Sequence, residues 1–253
     1  MTNGLVSRIW GKYVRVTSDC LYRRPLCING RGPIVSFTFD DFPRSALHVG
    51  GTILNSYGAR GTYFASLGLM GSTAPTGTMF ERDDLSLAIS QGHEIGCHTY
   101  DHCHAGITAP RLFEDSVVRN EKAFKDLYPG YSLQTLSYPI SEPRPGVKRR
   151  MQSRFVCCRG GGQDYNGNTA DLNRLHSFFI EQSRNDPQEI YNLIDAACLA
   201  RGWLILATHD INSRPTPWGC TPELFENLVR RVVACGARIL PVIEAWKALS
   251  GSA

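Results

Sequence analysis

Two adjacent carboxylates, Asp40 and Asp41, follow a run of apolar and β-branched residues, Ile34–Phe39, that is typical of a buried strand. Such a strand presents both acids at its carboxyl end. Because side chains alternate along a strand, the two acids need not occupy one position. One carboxylate can therefore hold a cation while the other moves a proton. Acidic residues after a strand are more often ordinary turn formers, so the pair alone is a weak signal.

A second signal is the segment Gly96–His102, which carries two histidines, His98 and His102, four residues apart. On one helical turn these two imidazoles share a face. Two neutral imidazoles and one carboxylate form a common open site for zinc or a similar divalent ion. Considered alone, a histidine pair at this spacing serves packing or capping more often than metal binding.

A third polar cluster, His209 and Asp210, ends the apolar segment Trp203–Ala207. A histidine at the end of a strand can donate a proton to a leaving group, and a neighbouring acid can fix its tautomer. A structural histidine on the rim of the fold explains the same residue equally well.

The rest of the chain alternates strand-like and helix-like segments, which implies parallel βαβ units in a barrel or an open doubly wound sheet. The polar clusters follow the strands, where active sites of (β/α) barrels are built. No dinucleotide fingerprint or phosphate-binding loop follows the first strand, which argues against a nucleotide-binding fold. The predicted strands are Ile34–Phe39, Gly61–Ala65, Glu94–Cys97, Gln134–Tyr138, Phe155–Cys158, Leu175–Ile180, Trp203–Ala207 and Arg238–Leu240. The predicted helices are Ala46–Tyr57, Asp83–Gln91, Pro110–Leu127, Pro187–Ala200, Pro222–Cys235 and Val242–Leu249.

The bulk composition is that of a soluble protein, with 253 residues of which 42% are hydrophobic and 20% charged. No run approaches the ~18 apolar residues of a membrane span, and residues 1–18 do not have the pattern of a signal peptide. Nine scattered cysteines without a CxxC pair indicate free thiols in a reducing compartment. A cytoplasmic location is therefore expected.

The net charge of +4 is concentrated in residues 1–33, which hold six basic side chains and one acid, against 21 basic and 22 acidic residues in the remainder. A nearly neutral body argues against nucleic acid as the main partner. Residues 1–33 form a basic extension to a single domain over residues 34–253. Its apolar residues recur at helical spacing, which predicts a helix that packs on the domain in preference to lying on an anionic membrane surface. These apolar residues are Leu5, Val6, Ile9, Trp10 and Tyr13.

Taken together and in this order, the motifs resemble those of the polysaccharide deacetylase family, carbohydrate esterase family 4. The resemblance runs from about Pro33 to Trp246. It rests on Thr38–Asp41, Gly92–Gly96 with His98–His102, Thr208–Asp210 and the phrase Tyr57–Phe64.

The resemblance implies a distorted (β/α)7-type barrel with a metal triad made of Asp41, His98 and His102. The cofactor is then a divalent metal, first of all zinc, with cobalt, nickel or manganese as alternatives. The metal would lower the pKa of its bound water and polarise the acetyl carbonyl. Asp40 would be the general base, and His209 would protonate the departing amine.

The resemblance also points to residues that would stabilise the oxyanion or contact the substrate. A backbone N–H after the fourth strand, at Ile140, would help to hold the oxyanion. The full predicted set is Tyr138, Pro139, Ile140, Leu206 and Trp218.

The sequence departs from the family pattern at two positions. Ser137 stands where many members have the arginine that orients the base, which marks a Ser-Tyr-Pro subgroup, and Arg159 or Arg144 would have to supply the charge. Ala207 replaces a leucine that usually lines the acetate pocket. A smaller residue there would admit a bulkier acyl group unless Leu206 or Trp218 fills the space.

The leading prediction is a metal-dependent hydrolase that removes N-acetyl groups from an amino-sugar polysaccharide or oligosaccharide, with an N-acetylated carbohydrate as its partner. One alternative is an amide or cyclic-imide hydrolase of a small molecule, and another is an O-deacetylase of xylan-like sugars. A catalytically silent, metal-containing carbohydrate-binding barrel is the non-enzyme alternative. The presence of both Asp40 and His209 argues against it, since binding alone needs neither a base nor an acid.

Overall fold

Seven parallel strands close into a barrel in the computed structural model, which describes residues 3–28, 30–140 and 142–251. The ring closes where the last strand pairs with the first, from Trp203 opposite Ile34 to Thr208 opposite Phe39. The predicted (β/α)7-type barrel is therefore confirmed. The strands are β1 (Ile34–Phe39), β2 (Thr62–Ala65), β3 (Glu94–Cys97), β4 (Thr135–Ser137), β5 (Cys157–Gly162), β6 (Leu175–Phe179) and β7 (Trp203–Thr208).

The barrel is irregular on one side. Between β5 and β6 the pairing shifts register, from Leu175 opposite Arg159 to Ser177 opposite Gly162. A two-residue strand, Arg238–Ile239, also pairs with the start of β1, along the edge that pairs with β2 further on. These irregularities account for the distortion that the family resemblance implied.

Side chains alternate between the barrel interior and the surrounding helices, as the period of a strand requires. Trp203 and Ile205 face inward, and the Trp203 indole donates a hydrogen bond to Ser36 Oγ inside the barrel at 3.0 Å. Phe37 and Leu204 face outward and pack in the large core beneath the helices. Strands that are apolar on both faces read as continuous hydrophobic runs, which is why they could be recognised in the sequence.

Helices surround the barrel. Several begin with proline at the first or second position, where its missing N–H and fixed φ are tolerated. Asp186 and Thr221 cap two of them by accepting hydrogen bonds from Gln188 N and Leu224 N. The helices are α1 (Asn3–Cys20), α2 (Thr52–Ser56), α3 (Arg82–Ser90), α4 (Pro110–Leu127), α5 (Pro145–Met151), α6 (Pro187–Leu199), α7 (Pro222–Ala234) and α8 (Val242–Ser250). A π-helical turn, Ala46–Gly51, leads directly into α2.

The connection between β5 and β6 contains a short strand, Thr169–Asp171, and no helix. The N-terminal extension packs here, because its strand Pro25–Cys27 pairs antiparallel with Thr169–Asp171. The buried ammonium of Lys148 on α5 bonds Ser18 O at 2.5 Å and Asp171 Oδ2 at 2.6 Å. Helix α1 and the strand after it therefore cover the side of the barrel that lacks its own helix.

Further contacts tie α1 to the loops around the barrel. The Trp10 indole donates to Gly106 O at 3.0 Å, and Asp19 pairs with Arg174 at 2.6 Å. The side chains of Leu5 and Val6, which were part of the predicted apolar face, lie outside the described residues. No helix in the described ranges is both long and apolar enough to cross a membrane.

Candidate functional site

Three polar segments meet at the carboxyl end of the barrel, in the arrangement expected from their positions after strands. Strand β1 leads into Asp40 and Asp41, β3 leads into His98, and β7 leads into His209. Asp40, Asp41 and His98 are buried, and His209 is partly exposed. The site is therefore held by the sheet and opens towards solvent on the His209 side.

Asp41, His98 and His102 form a compact donor set. Asp41 Oδ1 lies 3.5 Å from His98 Nε2 and 3.0 Å from His102 Nε2. One ligand atom from each residue lies within 4.8 Å of the others. Elsewhere in the described ranges no comparable cluster of three His, Cys, Asp or Glu side chains is found.

The surroundings of this donor set fit a cation. Asp41 Oδ1 is buried and accepts no well-oriented hydrogen bond, although Asp41 Oδ2 accepts one from Thr76 Oγ1 at 2.8 Å. His98 Nδ1 donates to Ser137 O at 2.9 Å, which leaves the lone pair of His98 Nε2 facing Asp41. A buried carboxylate oxygen without a donor is costly, and a divalent ion such as zinc would satisfy it.

The turn between the two histidines is not the helical turn that the sequence suggested. Thr99 and His102 have left-handed backbone angles, with φ of 59° and 51°. The Thr99 hydroxyl holds the turn by accepting a hydrogen bond from Cys103 N at 3.0 Å. The histidines converge through this irregular turn, so their spacing of four residues predicted the proximity for the wrong structural reason.

Left-handed residues also occur at two other positions of the site, Asp41 and Ile140, with φ of 60° and 69°. Such angles are uncommon outside glycine and are outliers for β-branched residues such as Ile140 and Thr99. Each costs about 1–3 kcal/mol and persists only where the surrounding structure enforces it. Their concentration here is typical of a functional site.

Asp40 is bound to Arg159, which lies on β5. Arg159 Nη2 donates to Asp40 Oδ1 at 2.5 Å and also contacts Asp40 Oδ2 and the Ser137 hydroxyl. Arg159 Nη1 donates to Ser177 Oγ at 2.9 Å. Ser137 and Arg159 are register partners on β4 and β5, so the small serine leaves room for the guanidinium.

Two aromatic rings hold the Arg159 side chain, and its charge controls the pKa of Asp40. The Arg159 guanidinium carbon lies 5.5 Å from the ring centre of Phe64 and 5.3 Å from that of Phe179. Such cation–π contacts immobilise a guanidinium. Burial alone would raise the pKa of Asp40, but the positive charge of Arg159 outweighs it and lowers that pKa below its usual range. Asp40 is therefore ionised at neutral pH.

The two candidate histidine ligands differ in charge behaviour. Burial lowers the pKa of His98 to about 4, so its imidazole is neutral and can ligate a metal. Burial also acts to lower the pKa of His102, but the Asp41 carboxylate raises it by more. A cation beside Asp41 would compete with the proton on His102, so metal binding and protonation oppose each other here.

His209 is oriented by the backbone of Trp218. His209 Nδ1 lies 3.2 Å from Trp218 O, and His209 N donates to the same oxygen at 3.3 Å. Asp210 does not set the tautomer, which corrects the sequence-based expectation. Its carboxylate accepts hydrogen bonds from Thr216 N and Thr216 Oγ1 and so organises the loop after β7.

Arg144 does not contact Asp40, which corrects one of the two predicted sources of charge. Arg144 Nη1 donates to Ile107 O at 3.4 Å, and its guanidinium carbon lies 5.4 Å from the Trp10 ring centre. It immediately precedes α5 on the outer rim. Arg159 is the arginine that the fold brings to Asp40.

Two of the residues predicted to contact substrate face away from the cleft. Ser137 points into the barrel, so Tyr138 points outward, where it is buried and donates to Asn173 O at 3.1 Å. Leu206 is likewise fully buried in the core beneath the helices. The alternation of side chains along β4 and β7 explains both corrections.

Pro139, Ile140 and Trp218 lie at or near the rim. Pro139 is buried and its carbonyl accepts a hydrogen bond from Ala105 N at 3.2 Å. Ile140 is 64% exposed and Trp218 is 41% exposed. In the described part of the chain, the Ile140 N–H donates to no protein acceptor.

Sequence reasoning did not identify Thr76, Ser177 or Glu181 as neighbours of the site. Thr76 lies in the turn of a short hairpin, where Thr73–Ala74 pairs with Gly77–Thr78, and the segment is too short to show a hydrophobic period. Ser177 is an inward position on β6 that no local pattern distinguishes. Glu181 follows β6 and has a buried Oε2 atom without a hydrogen-bond partner. Burial raises the pKa of Glu181 to about 7.

Glu181 makes the protein less stable as pH rises, because the folded state keeps a proton that the unfolded chain loses. Between pH ~4.5 and ~7 the unfolded glutamate ionises while the folded one does not, so stability falls across this window. We expect Glu181→Gln to raise the free energy of unfolding by about 3 kcal/mol at pH 8 and to change it little at pH 4.5.

Urea unfolding at the two pH values measures this difference, with the exposed Glu223→Gln as a matched control that should change neither value. An equal effect of Glu181→Gln at both pH values would show that titration of Glu181 is not the cause.

Comparisons with known proteins agree with the fold and motifs. Residues 28–153, about half of the chain, match the family model described as polysaccharide deacetylase. No curated protein sequence matches the chain. Among solved structures, the chitin deacetylase from the fungal pathogen Colletotrichum lindemuthianum is similar, with 16% identity, a TM-score of 0.62 and coverage of 87% of this chain and 88% of that one.

Two further structures share the fold. A family 4 acetyl xylan esterase from Clostridium thermocellum, in complex with a cobalt ion, has 19% identity, a TM-score of 0.59 and coverage of 87% of this chain and 92% of that one. The Xyl-CE4 domain of a multidomain xylanase from the hindgut metagenome of Trinervitermes trinervoides has 15% identity, a TM-score of 0.58 and coverage of 85% and 90%. At these identities the likeness establishes a common fold.

Proposed function

Because the chain belongs to the polysaccharide deacetylase family, we propose that it is a metal-dependent hydrolase that removes N-acetyl groups from an amino-sugar polysaccharide or oligosaccharide. The observation that carries the proposal is the juxtaposition of two carboxylates with different surroundings. Asp41 Oδ1 faces two imidazoles but accepts no well-oriented hydrogen bond, and the neighbouring Asp40 is ionised against Arg159. The surroundings of Asp41 suit the binding of a metal ion, and those of Asp40 suit the transfer of a proton.

The metal would be held by Asp41, His98 and His102. A divalent ion bound there, most simply zinc, would act as a Lewis acid on the acetyl carbonyl and make a water molecule more acidic. His98 is prepared for this role by the hydrogen bond from its Nδ1 to Ser137 O, which fixes the tautomer. Thr76 holds the second oxygen of Asp41 and so fixes which oxygen faces the histidines.

Asp40 would serve as the general base. Its lowered pKa keeps it ionised, and its fixed contact with Arg159 prevents it from turning towards the metal ligands. An ionised carboxylate in this position can take a proton from the attacking water. Arg159 acts through Asp40 and is a positioning residue.

His209 would serve as the general acid. Because its Nδ1 faces the Trp218 carbonyl, Nε2 is the nitrogen that remains to deliver a proton to the departing amine. The Ile140 N–H, which has no protein acceptor in the described residues, would donate to the oxyanion. The exposed indole of Trp218 and the exposed side chain of Ile140 would provide apolar contact for a sugar ring at the rim.

Acetate release from N-acetylated chitooligosaccharides tests the proposal. We expect release by the metal-loaded protein, loss of release after treatment with a chelator, and recovery when zinc or cobalt is added back. Acetate release from acetylated xylan but not from chitooligosaccharides would favour O-deacetylation, and turnover of cyclic imides alone would favour a small-molecule amidase. No turnover of any of these by the metal-loaded protein would contradict the assignment as an enzyme.

A further inference from the structure

Helix α1 uses one face to dock on the barrel. Val14 and Ser18, four residues apart, are buried against it. The Trp10 indole donates to Gly106 O, and the Ser18 carbonyl accepts from Lys148. The apolar residues expected to dock include Ile9 and Tyr13, but these two are 61% and 49% exposed, so the helix packs through a different face.

A second face of α1 carries apolar residues that the rest of the described structure leaves about half exposed. Ile9, Tyr13 and Val16 recur at helical spacing and are 61%, 49% and 53% exposed. The next apolar residues along the chain, Leu21 and Tyr22, are also exposed, at 43% and 40%. An apolar stripe of this kind on a solvent-facing helix indicates a binding surface.

Basic side chains border this stripe. Lys12 and Arg15 on α1 and Arg23 just beyond it are exposed, and no carboxylate of the described residues pairs with any of them. Asp19, the one acid among residues 1–33, forms an ion pair with Arg174 at 2.6 Å. The surface formed by Ile9, Tyr13, Val16, Lys12, Arg15 and Arg23, here called the α1 outer face, is therefore apolar in the middle and positive at its border.

We propose that the α1 outer face binds the surface of an anionic lipid bilayer. A helix that lies in the plane of a membrane buries an apolar stripe among the acyl chains while its lysines and arginines contact anionic headgroups. A second copy of the chain is a poorer occupant, because a symmetric pairing of this face would bring Lys12 and Arg15 close to their own copies. Nucleic acid would leave the apolar stripe unused.

Because α1 is docked on the barrel, the α1 outer face lies at a fixed distance from the candidate active site. Trp10 bonds Gly106, in the loop that follows His102, and the neighbouring Ile107 is 59% exposed. Because this loop borders the carboxyl end of the barrel, α1 lies at Trp10 beside the rim of the candidate site. A protein held by the α1 outer face would keep its cleft within a few tens of ångströms of the membrane, roughly the ~30 Å thickness of a bilayer core.

Co-sedimentation of the full chain with large unilamellar vesicles tests the proposal. We expect binding to vesicles of phosphatidylcholine with 30% phosphatidylglycerol, and weak binding to phosphatidylcholine alone. Ile9→Asp with Val16→Asp should weaken binding more than about tenfold, since two buried side chains are lost. Lys12→Glu with Arg15→Glu should weaken it by at least about fivefold per charge and reduce its salt dependence.

The matched control is Leu199→Asp with Val233→Asp, two exposed apolar residues at the ends of α6 and α7, which should bind vesicles like the parent. Acetate release from a soluble oligosaccharide by all variants should equal that of the parent, which separates loss of lipid binding from unfolding. Equal binding to both kinds of vesicle, or unchanged binding by the α1 variants, would overturn the proposal. So would light scattering that shows a parent dimer that the α1 variants abolish.

Discussion

On the proposed mechanism, Asp40→Asn is expected to lower kcat for deacetylation by about 10³-fold while the metal-loaded protein keeps its ion. The amide cannot take a proton, but Asp41, His98 and His102 remain in place to hold the ion. Assays of acetate release, together with metal analysis of the purified variant, measure the two effects separately. Loss of activity without loss of metal is expected only if the two adjacent carboxylates have different roles.

The variant should also be less stable, because Arg159 is left as a buried charge without its partner, at a cost of about 3–5 kcal/mol. Activity of this variant should therefore be measured well below its melting temperature. Asp195→Asn is the matched control, since Asp195 also pairs with an arginine, Arg231, but on the exposed surface of α6. Loss of metal together with activity in Asp40→Asn would show that Asp40 is a ligand, and unchanged kcat would remove it from the mechanism.

Arg159→Met is expected to lower kcat by about 10- to 100-fold with little change in KM, because the base loses its orientation and substrate contacts are unaffected. The acid limb of the kcat profile should also move to higher pH. Arg159 lowers the pKa of Asp40, so removing its charge raises the pH at which the carboxylate becomes protonated. A purely structural role for Arg159 would not move this limb.

Two further variants sharpen the test of Arg159. Arg159→Lys should recover little activity, because an ammonium cannot reproduce the forked contacts with Asp40 and Ser137. The double variant Ser137→Arg with Arg159→Ser moves the guanidinium to the register partner on β4 and should recover activity relative to Arg159→Met. An unshifted pH profile in Arg159→Met would contradict the positioning role.

The alternation of strands and helices and the meeting of the polar segments could be predicted because both depend on local signals, whereas the choice of a barrel over an open sheet came from the family resemblance. Strands such as Trp203–Thr208 are apolar on both faces, and the acids and histidines follow directly after such strands. Helices of about ten residues or more also carry enough periodicity to be recognised. Helix α5 was missed because it is only seven residues long and starts with Pro-Gly.

Other features could not be predicted because they depend on contacts between distant segments. The pairing of Pro25–Cys27 with Thr169–Asp171 is specified by three residues on each side. Arg159 was one of two candidate arginines in the sequence, and only the register of β4 and β5 places it beside Asp40. The outward direction of Tyr138 and Leu206 likewise follows from strand phase, which a short apolar run leaves undetermined.

The extension, which covers the side of the barrel where β5 and β6 are joined without a helix, also sets the order in which a growing chain can fold. Arg24 N bonds Asp171 Oδ1, 147 positions later in the sequence. The ribosome therefore has to release more than half of the chain before residues 3–28 find their place. During that interval the apolar and basic α1 segment has no barrel to pack against. A slower translation rate would prolong its exposure, and chaperones would bind it before the barrel forms.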